Sequence, residues 1–273
     1  MNTVEPKYRR PLNSEQRKVL VFLYRVRFST NKQIATYLGK TSHKTIQDKL
    51  RRLEDQGFIG KRYETSYKLA GRAAEYFLTP KGSRQLSADD EIDNERAMKA
   101  LYRNKTVSTE IIFRSVRLVD IIFTLKATYP DNLFIATRND LLRYTSFPSW
   151  TPDLFLRFND IDSPDRAEYV LDVWDGSQPF FVSVRKVRTY INYTLSYDWM
   201  ESLGEKPIAL IICPDEKMQR KLNKQIRRAL NDHDAHNAIS FATITKYQLE
   251  TPKGSSPLWS LVDEFDDEAT LRL

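Results

Sequence analysis

Between Asn13 and Gly57, apolar residues recur at helical spacing in three successive runs, and two short strand-like runs follow directly. In the first, NSEQRKVLVFLYRVRF (13–28), Val19, Leu20, Phe22, Leu23 and Val26 share one helical face. Asn13 or Ser14 can cap it by accepting a bond from a free backbone N–H. In STNKQIATYLGK, Ser29 or Thr30 is the cap, Ile34, Ala35 and Leu38 form the face, and Gly39 is a stop signal. The third run, TSHKTIQDKLRRLEDQG, opens on Thr41 or Ser42, buries Ile46, Leu50 and Leu53 on one stripe, and ends at Gly57. Its other face carries His43, Lys44, Thr45, Gln47, Asp48 and Arg51. FIGKRY (58–63) and AEYFLT (74–79) then read as a hairpin whose tip carries Lys68, Gly71 and Arg72, and the second strand runs into PKG.

Two helices joined by a tight turn, the second polar on its outer face, make a helix-turn-helix pattern. Such a helix fits the major groove, where its N-terminal residues reach base edges. Charge follows the same division. Met1–Leu86 carries 19 Lys and Arg against 7 Asp and Glu, a net +12, while the remainder of the +7 chain is net negative. A single-sign field gathered on one third of a chain points to a polyanionic partner.

The element order and the closing LTPKG segment resemble the winged helix-turn-helix DNA-binding domains of prokaryotes, over about residues 13–86. The resemblance implies that helix three, through Ser42, His43, Lys44, Thr45, Gln47 and Arg51, meets double-stranded DNA, with Lys61, Arg62, Lys68 and Arg72 of the wing along the phosphates. His43 suits either a base contact or a solvated helix start, and the late Arg51 either a phosphate or a surface ion pair.

A chain of 273 residues is expected to form one large domain or two ordinary ones. Its 41% hydrophobic and 29% charged content suits a folded protein. No apolar run approaches the ~20 residues of a membrane helix. MNTVEPKYRRPLN lacks the apolar core of a secretory signal, and the single Cys213 allows neither an intramolecular disulfide nor a cysteine-based zinc site. A reducing cytoplasm is the expected setting, with no membrane partner.

The expected domains are 1–86, a polar linker at 87–105, and 106–273. In the last, 106–129 reads as a long helix, followed by strands at 132–138, 153–158 and 167–175. A helix from 180 to 204, the apolar strand PIALIICPD (207–215), a basic helix at 215–230 and a strand at 238–245 complete it. This α-β-β-β-α-β-α-β order predicts a mixed sheet covered by helices. The fold class is therefore α+β or α/β.

With Pro152-Asp153 opening the second strand and Asp172 inside the third, this half resembles the PD-(D/E)XK, or restriction-endonuclease-like, nuclease fold. The resemblance implies that Asp153 and Asp172 are paired Mg²⁺ ligands, since hard cations need carboxylate oxygens, and that a lysine two residues on assists the attacking water. Trp174 stands in that lysine position, and the register starting at Glu168 puts Val170 there. Lys186, in the KVRTY segment of the next helix, is the relocated candidate that would complete a catalytic set with Asp153 and Asp172.

The winged helix, PD strand, acid-bearing strand, D-G turn and KxxxY helix together resemble the replication-relaxation family of plasmid and mobile-element proteins. That implies a duplex-DNA-binding accessory to DNA relaxation or replication, or a regulator, with a relaxase or similar DNA-processing partner. Trp174 in the lysine position makes the expected nuclease-like domain inactive, with no cofactor, or Mg²⁺ if the site is active. The alternatives are a Mg²⁺-dependent endonuclease targeted by the winged helix, and a repressor acting as a homodimer on paired half-sites.

Overall fold

The computed structural model describes residues 11–41, 43–63, 65–88, 99, 101–130, 133–142, 144, 152–158, 167–174, 176–196, 208–252, 257–262 and 269–273. The chain divides into two compact units, Met1–Val116 and Arg117–Leu273.

In the first unit, α1 (Ser14–Val26) starts with a capping box. The Asn13 side chain accepts from the Gln16 N–H at 2.8 Å, and Gln16 answers the Asn13 N–H at 3.0 Å. The helix stops two residues before the expected end. Arg27 takes a left-handed φ of 71° while its N–H still reaches the Leu23 carbonyl at 2.9 Å. Phe28 then opens a strand, β1 (Phe28–Thr30), where the sequence pattern predicts a helix end and a cap.

Thr30 closes β1 and caps α2 (Asn31–Tyr37) through the Gln33 N–H. Gly39, at φ +63°, makes the turn into α3 (His43–Asp55), where Ile46, Leu50 and Leu53 are fully buried. β2 (Ile59–Arg62) and β3 (Glu75–Leu78) pair antiparallel, and β1 adds to β3 on its other side. The expected open wing tip instead holds a short helix, α4 (Thr65–Leu69). Pro80 does not end the unit but begins α5 (Pro80–Ala88), a position a helix tolerates because its first N–H has no partner to lose.

The long helix α6 (Thr109–Thr128) contains the division between the units. In the first, Ile112 packs with Phe28 and Phe77, and Val107 and Val116 lie against them. Ile111, expected inside, is exposed.

The second unit is a seven-stranded mixed sheet, β10-β9-β8-β7-β6-β5-β4. β4 (Leu133–Thr137), β5 (Leu154–Phe158) and β6 (Ala167–Val173) run antiparallel in chain order, with a one-turn helix α7 (Arg138–Leu141) after β4. β7 (Ile208–Cys213) and β8 (Ser240–Thr245) continue parallel to β6. Parallel neighbours need crossovers, supplied here by α8 (Phe180–Leu195) and α9 (Glu216–Asp232). A short α10 (Lys246–Glu250) and two small strands, β9 (Trp259–Leu261) and β10 (Thr270–Leu271), finish the edge. The apolar IALIIC lies between two parallel neighbours, as its composition requires. The core joins Phe155, Val170, Trp174, Tyr190, Ile211, Leu222, Ile226 and Phe241 with their neighbours. Among the described residues, no helix is long and apolar enough to cross a membrane.

Candidate nucleic-acid interface and nuclease-like site

The inward stripe of α3 leaves Lys44, Thr45, Gln47, Arg51 and Arg52 exposed on the opposite side. Among the described residues, Arg51 makes one ion pair, a 3.4 Å contact to Asp48, worth little in water. Ser42 and the His43 side chain lie outside the described residues. Glu15 of α1 anchors the base of this interface. It holds Lys40 of the turn at 2.8 Å and bonds Lys49 of α3, and these two lysines pull its carboxyl down to about 2.

The four wing cations separate into two groups. Lys68 is exposed on α4, and Lys61 is exposed with a 3.3 Å pairing to Glu54. Arg62 is half-buried and donates to the Val107 carbonyl at 2.7 Å. Arg72 is not a free tip residue. Its guanidinium lies 3.9 Å over Tyr67 and 3.9 Å over Phe113, and it donates to the buried Glu75 at 2.9 Å. A wing closed by a helix instead of a tight turn draws Arg72 back onto the unit. The sequence signal for this was the acid three residues on, Glu75.

In the second unit, the last β5–β6 pair is Leu154 opposite Leu171, so one step further sets Asp153 opposite Asp172. Both are 7% exposed. The Asp153 N–H donates to Asp172 Oδ1 at 3.1 Å, and the Val173 N–H donates to Asp153 Oδ2 at 3.0 Å. From α8, Lys186 bonds Asp172 Oδ1 and the Tyr190 hydroxyl donates to Oδ2 at 2.8 Å. Lys186 and Tyr190, four apart, lie on the same side of α8 and converge on one carboxylate. Burial first, then the Asp172 charge, push the Tyr190 phenol well above its ordinary 10.

Trp174 is 5% exposed and stacks on Phe180 with centroids 5.3 Å apart. Side chains two apart share a strand face, so the indole occupies the side of β6 on which Asp172 stands. The structure brings Lys186 to Asp172 and sets Asp153 beside Asp172. Tyr190, the tyrosine of the KxxxY segment, is a further partner of Asp172 to which the sequence alone assigns no contact. Among the described residues, no group of three or more His, Cys, Asp or Glu side chains is arranged to hold a metal ion.

A three-helix unit with a wing, followed by a helix-flanked mixed sheet bearing two facing acids, defines a winged helix-turn-helix joined to a nuclease-like domain. The replication-relaxation family matches residues 20–207, and the chain belongs to that family. Among solved structures it is similar to ZitR of Lactococcus lactis, at 21% identity over 48% of this chain and 82% of that one, with a TM-score of 0.26. A ZitR structure in complex with DNA matches at 18% identity over 47% of this chain and 83% of that one, TM-score 0.26. The restriction endonuclease FokI matches at 10% identity over 89% of this chain, which spans 44% of FokI, with a TM-score of 0.35. No curated protein matches the chain.

Proposed function

We propose that this protein binds double-stranded DNA of a plasmid or mobile element, as an accessory to its relaxation or replication or as a regulator. In this reading its nuclease-like domain does not cut. The observation that carries the reading is the exposed face of α3, where Lys44, Thr45, Gln47 and Arg51 stand opposite the buried Ile46, Leu50 and Leu53. A helix built this way presents hydrogen-bonding side chains to base edges while its cations meet phosphates. The +12 charge of Met1–Leu86 supports it, and membership of the replication-relaxation family supports a role in DNA processing.

The silence of the second unit rests on how Asp172 is used. Mg²⁺ keeps several waters and needs open carboxylate oxygens. Here both acids are buried, Asp172 already accepts from Lys186, Tyr190 and the Asp153 N–H, and Trp174 fills the adjoining side. The cation beside Asp172 is the Lys186 ammonium, so these residues do not fit a Mg²⁺ ion in this arrangement. Structural stabilisation of the β5–β6–α8 junction is the role this geometry suits.

Anisotropy titration of labelled duplex tests the first part. Affinity should fall steeply with salt, because phosphate contacts release counterions, and salt-insensitive binding or none would remove the reading. The convergence of Asp153, Asp172 and Lys186 favours one second reading, a Mg²⁺- or Mn²⁺-dependent endonuclease. Supercoiled plasmid incubated with either metal should stay closed and circular. Nicking that Asp153→Ala and Asp172→Ala abolish, with binding intact, would establish the enzyme instead.

A further inference from the structure

The second unit has a cationic surface that neither the α3 interface nor the Asp172 cluster uses. α8 and α9 pack side by side on one core, burying Val187, Tyr190 and Ile191 from the first and Leu222, Ile226, Ala229 and Leu230 from the second. Their solvent faces form two stripes at i, i+4, i+7 and i+11 spacing. On α8 the stripe is Phe181, Arg185, Arg188 and Asn192, and on α9 it is Lys217, Lys221, Lys224 and Arg228, all exposed. At 1.5 Å per residue each stripe runs about 16 Å. The two helices hold nine Lys and Arg against two acids, Glu216 and Asp232, although the chain beyond Leu86 is net negative. Composition therefore does not account for the patch. Arg185, Arg188, Lys217 and Lys224 have no ion pair among the described residues.

Aromatic rings are set among these charges. Phe181 is 60% exposed, with the Arg185 guanidinium 6.0 Å from its ring centre. Beside it Phe180, braced from below by Trp174, carries the Lys221 ammonium at 3.9 Å and so ties the two stripes together. An exposed phenyl among cations offers a flat face on which an unstacked base can lie. A duplex would satisfy the cations, but it keeps its bases stacked and gives Phe181 no partner. An extended single strand offers both a backbone for the cations and unstacked base faces for the ring.

We propose that the α8–α9 face binds single-stranded DNA, with the α9 lysines along the phosphates and Phe181 stacked on a base. This goes beyond the duplex-binding reading and stands on different residues.

The test uses the full chain and a fluorescein-labelled oligothymidylate of about 20 nucleotides, which has no duplex of its own and is longer than the roughly 4–16 nucleotides of known single-strand sites. The wild type should bind it. Phe181→Ala should raise Kd about tenfold, the loss expected for one stacked base. The double variant Lys221→Glu, Lys224→Glu should raise it at least as much and flatten the salt dependence. Both should leave labelled-duplex binding within about twofold, and matching thermal midpoints verify that these exposed substitutions do not unfold the chain. Conversely, Lys44→Ala with Gln47→Ala should weaken duplex binding and spare the oligothymidylate. The proposal is overturned if the wild type ignores oligothymidylate, if the α8 and α9 variants bind it unchanged, or if polyglutamate displaces it as well as a single strand does. A wild type that binds oligothymidylate through Phe181 but no duplex would instead sink the α3 reading and leave this one standing.

Discussion

Tyr190 of α8 donates its hydroxyl to Oδ2 of Asp172 in β6 at 2.8 Å, while Lys186, one turn earlier, bonds Oδ1 of the same carboxylate. One buried charge therefore joins the crossover helix to the strand that precedes it. A half-made version of such a network is worse than none, because removing one partner leaves a desolvated charge.

Lys186→Met should accordingly cost more stability than any exposed lysine change, about 2–3 kcal/mol given that Lys186 keeps some solvent contact. Tyr190→Phe should cost about 1–3 kcal/mol by leaving one carboxylate oxygen unpaired. The pair Asp172→Asn, Lys186→Met should recover part of the single-variant loss. Urea unfolding of wild type, Asp172→Asn, Lys186→Met and the double variant closes the cycle. Additive losses would show that the two groups do not interact, against the geometry.

Arg72 and Lys68 are both wing cations in the sequence, but they stand in different surroundings. Arg72 lies over two rings and pairs with a glutamate of which only 4% is exposed, whereas Lys68 projects from α4. Arg72→Ala should lower stability by about 2 kcal/mol, through the stranded Glu75 and the lost ring contacts. Lys68→Ala should leave the thermal midpoint alone and weaken duplex binding, reducing the salt slope by about one. Equal effects of the two on both assays would contradict the division.

Which elements are legible in the sequence follows from interaction range. Of the first unit's helices, α1 and α2 were legible because each has its own apolar stripe and cap, Asn13 and Thr30, and α3 because of its Ile46, Leu50 and Leu53 stripe. β7 was legible because a continuous apolar run of six has few other uses. β1 was not, since three residues carry no period, and the strand exists only because β3 pairs with it. α4 was hidden by Gly71, which reads as a hairpin tip when the chain around it is taken locally. At the site, Asp153 and Asp172 were legible from strand position. The commitment of Asp172 to Lys186 and Tyr190 depends on how α8 lies across β6, and no local pattern encodes that.

Gly82, the last residue of LTPKG, is set by space. A Cβ there would come within 2.2 Å of the Phe58 carbonyl oxygen and 2.7 Å of Leu78 Cδ1. The first of these is backbone and cannot swing aside. Gly82→Ala should therefore separate α5 from the start of β2 and destabilise the first unit by about 1–3 kcal/mol, despite the better helix propensity of alanine. Gly60 offers a comparison, because the nearest atoms its Cβ would meet belong to a side chain, the Phe77 ring, and not to backbone. A Gly82→Ala protein that melts with the wild type would mean that α5 is seated otherwise.

Glu15 supplies a pH-dependent anchor for α3. Hydrogen bonds from Lys40 and Lys49 lower its pKa from the ordinary 4.5 to about 2. A carboxyl whose folded pKa lies below its unfolded one contributes stability that is fully present above the unfolded value. That contribution is lost as pH falls through the folded value. The window is thus roughly pH 4.5 down to 2, and salt should narrow the effect because the groups are partly exposed. Urea midpoints of wild type and Glu15→Gln, measured across this range, should differ above pH 4.5 and converge near pH 2. The loosened α3 of the variant should also bind duplex more weakly at neutral pH, because Lys49 sits on that helix. A constant offset between the two curves down to pH 2 would show that the carboxylate charge contributes nothing and that the substitution acts through shape alone.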